Sequence, residues 1–171
     1  MRKNNKGMSY VELLLVLAIM AILIAVASLT IGLISRANVS RGAEKLASTF
    51  NQARSVSMAR GTSNGVLEIT FDGSNYYYYV GSSTDPDKED MKVKFISSPA
   101  VVTYALDSAP TTQIPMGTMI KVEYDQSSGS IKRCIDASGN VVSFHSITLT
   151  NEDKSATIRI YSATGKCDLV Y

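Results

Sequence analysis

The first sixty residues show two successive hydrophobic patterns. No charged residue occurs from Leu13 to Ser35, a run of about 23 residues that follows the single carboxylate of Glu12. At about 1.5 Å of rise per residue, a helix of this length is about 35 Å long and can cross a hydrocarbon core about 30 Å thick. The pattern predicts that residues 8–35 form the transmembrane half of a long helix.

Residues 36–60 continue the helix with a single apolar face. Apolar side chains recur there at intervals of three or four, as in an amphipathic helix; they are Val39, Ala43, Leu46, Phe50 and Ala53. The sequence therefore predicts one helix over residues 8–60, stopped by Gly61, with its second half against an apolar surface. Gly32 and Gly42 are its weakest points, since glycine costs up to about 1 kcal/mol relative to alanine.

Residues 61–171 carry short strand patterns separated by turns. G-V-L-E-I-T-F and Y-Y-Y-Y-V flank the turn D-G-S-N and predict a hairpin. A polar loop over residues 82–90 precedes M-K-V-K-F-I, a strand predicted to bury Met91, Val93 and Phe95. Further strands are predicted at A-V-V-T-Y-A-L, M-I-K-V-E-Y, S-I-K-R-C-I, V-V-S-F-H-S-I-T-L and A-T-I-R-I-Y, with a loop holding Pro110 and Pro115 after the first of them. The predicted fold class is α+β, a long N-terminal α-helix packed on an antiparallel β-sheet head, residues 61–171.

The charges at the start of the chain predict its orientation. Arg2, Lys3 and Lys6 precede the apolar run, and positive residues tend to stay on the cytoplasmic side. The N-terminus is therefore expected inside and the head outside. Without these three cations the net charge of +2 becomes about −1, so the sequence gives no reason to expect a nucleic-acid partner.

Two cleavage sites compete in the N-terminal region. The small-x-small sequence Ala25-Val26-Ala27 would allow a general signal peptidase to cut between Ala27 and Ser28. Glu12 is unusual in such a signal, because a carboxylate in a membrane segment is costly and usually has a function. The alternative for Glu12 is a solvated position at the membrane interface.

The stretch K-G-M-S-Y-V-E-L-L-L-V-L-A-I-M-A-I resembles the class III signal of type IV pilins and type II secretion pseudopilins. The resemblance implies that residues 1–7 are a leader, which a prepilin peptidase removes after Gly7. It implies an N-methylated N-terminus at Met8 and an assembly carboxylate at Glu12. In a filament, Glu12 of one subunit would neutralise the Met8 amine of a neighbour, because a buried charge needs an opposite partner.

The head extends the resemblance. A-E-K-L-A-S-T-F-N-Q-A-R-S-V-S-M-A-R-G-T-S-N-G-V-L-E-I-T-F and the ending I-T-L-T-N…A-T-I-R-I-Y-S-A-T-G-K are similar to the H-type minor pseudopilins and their pilus relatives. The resemblance implies an assembly role for residues 8–35 and a structural subunit, of the minor type, of a type IV pilus or a type II secretion pseudopilus. Its implied partners are other pilin subunits, the prepilin peptidase, an inner-membrane assembly platform and, before assembly, the lipid bilayer. The implied location is the bacterial inner membrane, with a single pass, and then the filament.

Cys134 and Cys167 allow one disulfide pairing, which an exported domain permits. A buried thiol and a surface thiol are equally ordinary alternatives. A disulfide closing this loop of about 33 residues would contribute a few kcal/mol.

The sequence offers little for catalysis. His145 is the single histidine, which excludes a two-histidine metal site, and no nucleophile-elbow, phosphate-loop or C-x-x-C motif occurs. No metal and no cofactor are predicted, and the chain is not expected to be an enzyme. Two alternatives to the filament subunit remain: a secreted or membrane-anchored β-domain that binds a ligand, cleaved at Ala27/Ser28 or left uncut, and an envelope enzyme with an unrecognised site.

Overall fold

A computed structural model describes residues 9–106, 109–151 and 154–171, and within these ranges only the backbone of residues 26–36 and 109–110. The chain divides into two compact units, Met1–Ser35 and Arg36–Tyr171. Its fold is α+β, with an N-terminal helix followed by antiparallel sheets, as the sequence predicted.

The helix, α1, spans Tyr10–Arg60 and has 51 residues. Neither Gly32 nor Gly42 interrupts it. It ends where predicted, because Gly61 adopts a φ of 99°, a left-handed conformation that other residues rarely tolerate. The amide of Gly61 donates to the carbonyl oxygen of Ser57 at 2.9 Å, and Asn64 Nδ2 donates to that of Arg60 at 2.7 Å. Both bonds satisfy carbonyl groups left open at the helix end.

Eleven strands follow in the described residues, arranged in two antiparallel sheets. Their bounds are β1 Val66–Phe71, β2 Asn75–Gly81, β3 Val93–Ser97, β4 Val101–Leu106, β5 Ala109–Gln113, β6 Met119–Tyr124, β7 Ile131–Ile135, β8 Val141–Val142, β9 Phe144–Asn151, β10 Lys154–Tyr161 and β11 Lys166–Val170. The first sheet has the order β3-β2-β1-β6-β7-β8, and the second has the order β11-β10-β9-β4-β5.

One hydrophobic core joins the second half of α1 to both sheets. The predicted stripe from Val39 to Ala53 is fully buried, together with Ile69 and Ile120 of the first sheet and Ile147 and Ile158 of the second. Because the same cluster holds residues from all three elements, the amphipathic half of the helix is part of the head rather than an appendage to it.

Gly42 lies at a close approach between α1 and β3. A side chain at this position would meet the carbonyl oxygen of Phe95 at 3.2 Å and Cβ of Ile96 at 3.3 Å. The glycine that the sequence marked as a weak point therefore lets the helix backbone approach the edge of the first sheet.

Three strand predictions were wrong. The Pro110 segment, predicted as a loop, is β5, and it occupies an edge of its sheet, where proline is tolerated because no neighbour needs its missing N–H. The predicted strand V-V-S-F-H-S-I-T-L is two strands, since β8 belongs to the first sheet and β9 to the second. The edge strand β11 was not predicted.

The burial predicted for M-K-V-K-F-I was partly wrong as well. Phe95 is buried, but Val93 and Met91 are 40% and 50% exposed. Met91 precedes β3, which begins at Val93 on the edge of the sheet. The alternation of residue types therefore identified the strand but not how much of it the core covers.

Candidate functional site

The candidate site is the first part of α1, where apolar side chains face outward on every side. All residues from 9 to 25 are exposed in this single chain. The exposed fractions of the large apolar side chains range from 42% at Val16 to 77% at Tyr10. A continuous apolar surface of this kind marks a site of protein or membrane contact.

Glu12 is the single charged residue of this exposed stretch. It lies in the first turn of α1, and its Oε2 accepts a hydrogen bond from the backbone amide of Ser9 at 3.2 Å. The sequence S-Y-V-E thus forms the carboxylate half of a capping box, in which the third helical residue bonds the amide of the N-cap residue. The sequence carries this signal, Ser9 followed three residues later by Glu12, but Glu12 was predicted only as an assembly carboxylate.

The other predicted N-terminal site residues are not all described. The predicted leader, residues 1–7, and the predicted mature N-terminus, Met8, lie outside the described residues. Ala27 and Ser28, the alternative cleavage position, lie within the helical backbone of α1. Among the residues that the structure describes, no helix meets the length and apolarity needed to span a membrane.

A buried carboxylate in the head was not predicted. Glu68 on β1 is 1% exposed, and its oxygens lie 3.0 Å from Lys121 Nζ on β6 and 3.2 Å from Lys88 Nζ. Ser83 Oγ donates a third bond at 2.9 Å. Burial raises the pKa of Glu68, but the bonds from Lys121, Ser83 and Lys88 outweigh it, so the net pKa is lowered.

These bonds hold a loop that the sequence predicted to be solvated. Lys88 and Ser83 belong to the segment between β2 and β3, and both contact Glu68 on the sheet. Tyr79 adds a bond from its hydroxyl to Asp85 Oδ2 at 3.2 Å. These contacts form an ion cluster with a structural role, because the ammonium groups of Lys88 and Lys121 both pair with the Glu68 carboxylate.

The two predicted disulfide residues lie in different sheets. Cys134 on β7 is buried, while Cys167 on β11 is half-buried and donates from Sγ to the carbonyl oxygen of Ala47 at 3.5 Å. Burial raises the pKa of the Cys167 thiol. Burial raises the pKa of Tyr124, and the negative charge that Cys167 and Cys134 carry as thiolates raises it further. Both residues are thiols in this structure, and their pairing stays a prediction.

Titratable side chains line one open cleft of the head. This cleft has a volume of about 550 Å³ and is open to solvent, with Asp72, Tyr77, Glu89 and Lys92 along its walls. Asp72 accepts bonds from two turn amides, those of Ser74 and Asn75, which lower its pKa. Over the described residues, no group of three histidine, cysteine or acidic side chains could hold a metal ion.

The comparisons with known proteins agree with the N-terminal motif. The family model described as "Prokaryotic N-terminal methylation motif" matches residues 2–28, a match that includes Gly7, Met8 and Glu12. This motif is typical of type IV pilin-like proteins, a structural family processed by prepilin peptidase and assembled from pilin subunits. Searches of curated proteins and of solved structures returned no match.

Proposed function

We propose that this chain is a structural subunit, of the minor type, in a type IV pilus or a type II secretion pseudopilus. The observation that carries the proposal is the exposed apolar surface of residues 9–25 with one carboxylate at its start, inside the matched motif. The H-type minor pseudopilins are the proposed relatives, on the similarity of the head sequences. The proposed activity is assembly, with no catalytic role and no cofactor.

The exposed apolar surface would contact lipid before assembly and neighbouring helices after it. Before assembly, the bilayer would cover it, since the uncharged run of about 23 residues matches a hydrocarbon core about 30 Å thick. After assembly, the equivalent helices of neighbouring subunits would cover it and remove the same apolar area from lipid or water. The proposed location is accordingly the bacterial inner membrane, with the N-terminus inside and the head outside, and then the filament.

Glu12 would direct the second step. Cleavage after Gly7 would create an ammonium group on Met8, and a carboxylate in an apolar bundle is strongly disfavoured without such a partner. A carboxylate has about four acceptor sites, so the bond from the Ser9 amide leaves capacity for an ammonium from a neighbouring subunit. This pairing would set the register between subunits more than it would add stability.

A prepilin peptidase would process the chain. An inner-membrane assembly platform would move the processed subunits into the filament.

N-terminal sequencing of the mature protein tests the proposal. A chain that begins at Met8, with an added methyl group, supports it, whereas a chain that begins at Ser28 supports the alternative of a secreted ligand-binding domain. Gly7→Leu should block cleavage and leave residues 1–7 attached, since the proposed cut follows a glycine. Normal maturation of Gly7→Leu would contradict the proposed site.

A further inference from the structure

A small basic cleft lies between α1 and the edge strand β3. It has a volume of about 350 Å³, and its described lining residues are Asn38, Arg41, Lys94, Phe95, Ile96 and Ser97. Phe95 and Ile96 are buried and form the apolar floor, whereas Arg41 and Lys94 are exposed. No carboxylate occurs among these lining residues, so the cleft combines two cations with amide and hydroxyl groups that can donate to an anion.

A third cation fixes one wall of the cleft. Lys45 Nζ donates to the carbonyl oxygen of Lys94 at 2.7 Å and lies 5.7 Å from the ring centre of Tyr78. Lys45 thus ties α1 to β3 beside Arg41 and Lys94. The bond from Lys45 to the Lys94 carbonyl oxygen helps to hold α1 against β3, so replacing Lys45 would also disturb the fold. Arg41 and Lys94 are therefore the two cations to replace in a test.

No acidic residue is among the described residues that line the cleft, although Glu44 follows Arg41 by one helical turn. Glu44 accepts the hydroxyl hydrogen of Tyr171, with an oxygen–oxygen distance of 2.8 Å. Asp85 lies in a groove that it shares with Gln52 and Arg60, toward the end of α1. Between Arg41 and Gln52 the helix rises about 16 Å, about twice the screening distance of about 8 Å at physiological salt. The charge of Asp85 is therefore largely screened at Arg41.

If the apolar run crosses a bilayer, chain connectivity limits how far Asn38 can lie from the membrane surface. Asn38 follows Ser35, the last residue of the uncharged run, by three residues, which span about 11 Å at most. The headgroup layers add about 5–8 Å to each side of the hydrocarbon core. If the apolar run crosses the bilayer, as the proposed function requires, Asn38 cannot be far from the lipid headgroups.

We propose that the cleft of Asn38, Arg41 and Lys94 binds the headgroup of an anionic phospholipid before the subunit is assembled. The phosphate would accept from Arg41 and Lys94, and the polar part of the headgroup would lie against Asn38 and Ser97. Clustered cations next to a membrane segment gain about 1 kcal/mol each from anionic lipid. Such a site would hold the head at the membrane surface until assembly withdraws the helix.

The full chain in liposomes of phosphatidylcholine with a minor share of phosphatidylglycerol tests this site. Lipids that stay bound after gentle extraction are identified by native mass spectrometry. The ratio of bound phosphatidylglycerol to bound phosphatidylcholine should exceed the bulk ratio by about thirtyfold, since two cations contribute about 1 kcal/mol each. The double variant Arg41→Gln/Lys94→Gln should lose this enrichment, while Lys132→Gln/Lys166→Gln, which removes equal charge from exposed positions elsewhere, should keep it.

Each other outcome overturns the proposal in a different way. Equal enrichment in wild type and Arg41→Gln/Lys94→Gln would show that the cleft does not bind lipid. A phosphate adduct on the wild type in pure phosphatidylcholine with inorganic phosphate, without any preference for phosphatidylglycerol, would assign the cleft to a free anion. A chain that enters no liposome would overturn the proposed membrane insertion, and the lipid site with it. Unchanged thermal unfolding of both double variants shows that they are folded.

Discussion

The ammonium of Lys121 on β6 lies 3.0 Å from the buried carboxylate of Glu68 on the adjacent strand β1. Their backbones are register partners, so the pair bridges two neighbouring strands at one level of the sheet. Lys88 approaches the same carboxylate from the loop after β2. One anion therefore connects the centre of the first sheet to a loop outside it.

Glu68→Gln should destabilise the head by about 1–3 kcal/mol, because it removes the charge that three donors share in a buried position. Chemical denaturation of wild type and variant measures this difference. Glu123→Gln is the matched control, since Glu123 pairs with Arg133 at 2.7 Å but that arginine side chain is 48% exposed. The control should lose less than about 1 kcal/mol. Equal losses in the two variants would contradict the structural role of the Glu68 cluster.

The pH dependence follows from the lowered pKa of Glu68. The folded chain holds the carboxylate ionised below its ordinary pKa of 4.5, so the unfolded chain binds more protons in that range. The stabilising contribution is therefore complete above about pH 4.5 and is lost as the pH falls through the folded pKa. In the same denaturation series, the difference in the free energy of unfolding between wild type and Glu68→Gln should become smaller below pH 4.5. If this difference does not change with pH, the charge of Glu68 contributes nothing to the stability of the head.

Two variants of Glu12 separate its charge from its role at the helix start. Glu12→Gln keeps a side-chain oxygen that can accept from the Ser9 amide, but it has no charge, whereas Glu12→Leu loses both. Both should be cleaved and inserted in the membrane, and both should be poorly incorporated into filaments, because the Met8 ammonium would lack its partner. Immunoblots of sheared filaments and of membranes measure incorporation. If Glu12→Gln assembles normally and Glu12→Leu does not, the helix cap and not the charge is what assembly requires.

The cysteines should react slowly in the folded head. Burial shields the Cys134 thiol from the reagent, and it raises the pKa of Cys167, so less of the Cys167 thiol is present as the reactive thiolate. Alkylation at pH 8, followed by mass spectrometry, should be at least about tenfold slower in the folded than in the unfolded chain. Alkylation after unfolding without reductant also tests the predicted Cys134–Cys167 disulfide, because an oxidised pair would not react at all. Rapid modification of the folded chain would contradict the burial described above.

The sequence predicted those parts of the fold whose burial follows a simple period. The stripe from Val39 to Ala53 repeats every three or four residues, and the hairpin of β1 and β2 has strong strand formers around a turn. Edge strands were harder to predict, because an edge strand has a neighbouring strand on one side only and its pattern of apolar and polar residues is weaker. The β5 strand contains Pro110, and in β11 the polar Lys166 and Asp168 alternate with half-buried Cys167 and Leu169.

The candidate site divides in the same way. The charge pattern identified Glu12, because one acid before a long uncharged run is visible in the sequence alone. The sequence alone could not identify the role of Glu68, because V-L-E-I-T-F is an ordinary strand pattern. Its partners Ser83, Lys88 and Lys121 lie 15, 20 and 53 positions further along the chain. The basic cleft likewise joins Arg41 to Lys94, which only the packing of α1 against β3 brings together.

The shared core also has a practical consequence for recombinant work on the head. Val39, Leu46 and Phe50 fill the interior together with side chains from both sheets. A fragment that begins at the first strand would expose that interior to water and should aggregate. A fragment intended to be secreted and crystallised without the apolar run should therefore begin at Arg36, so that it keeps the helical segment on which the sheets close.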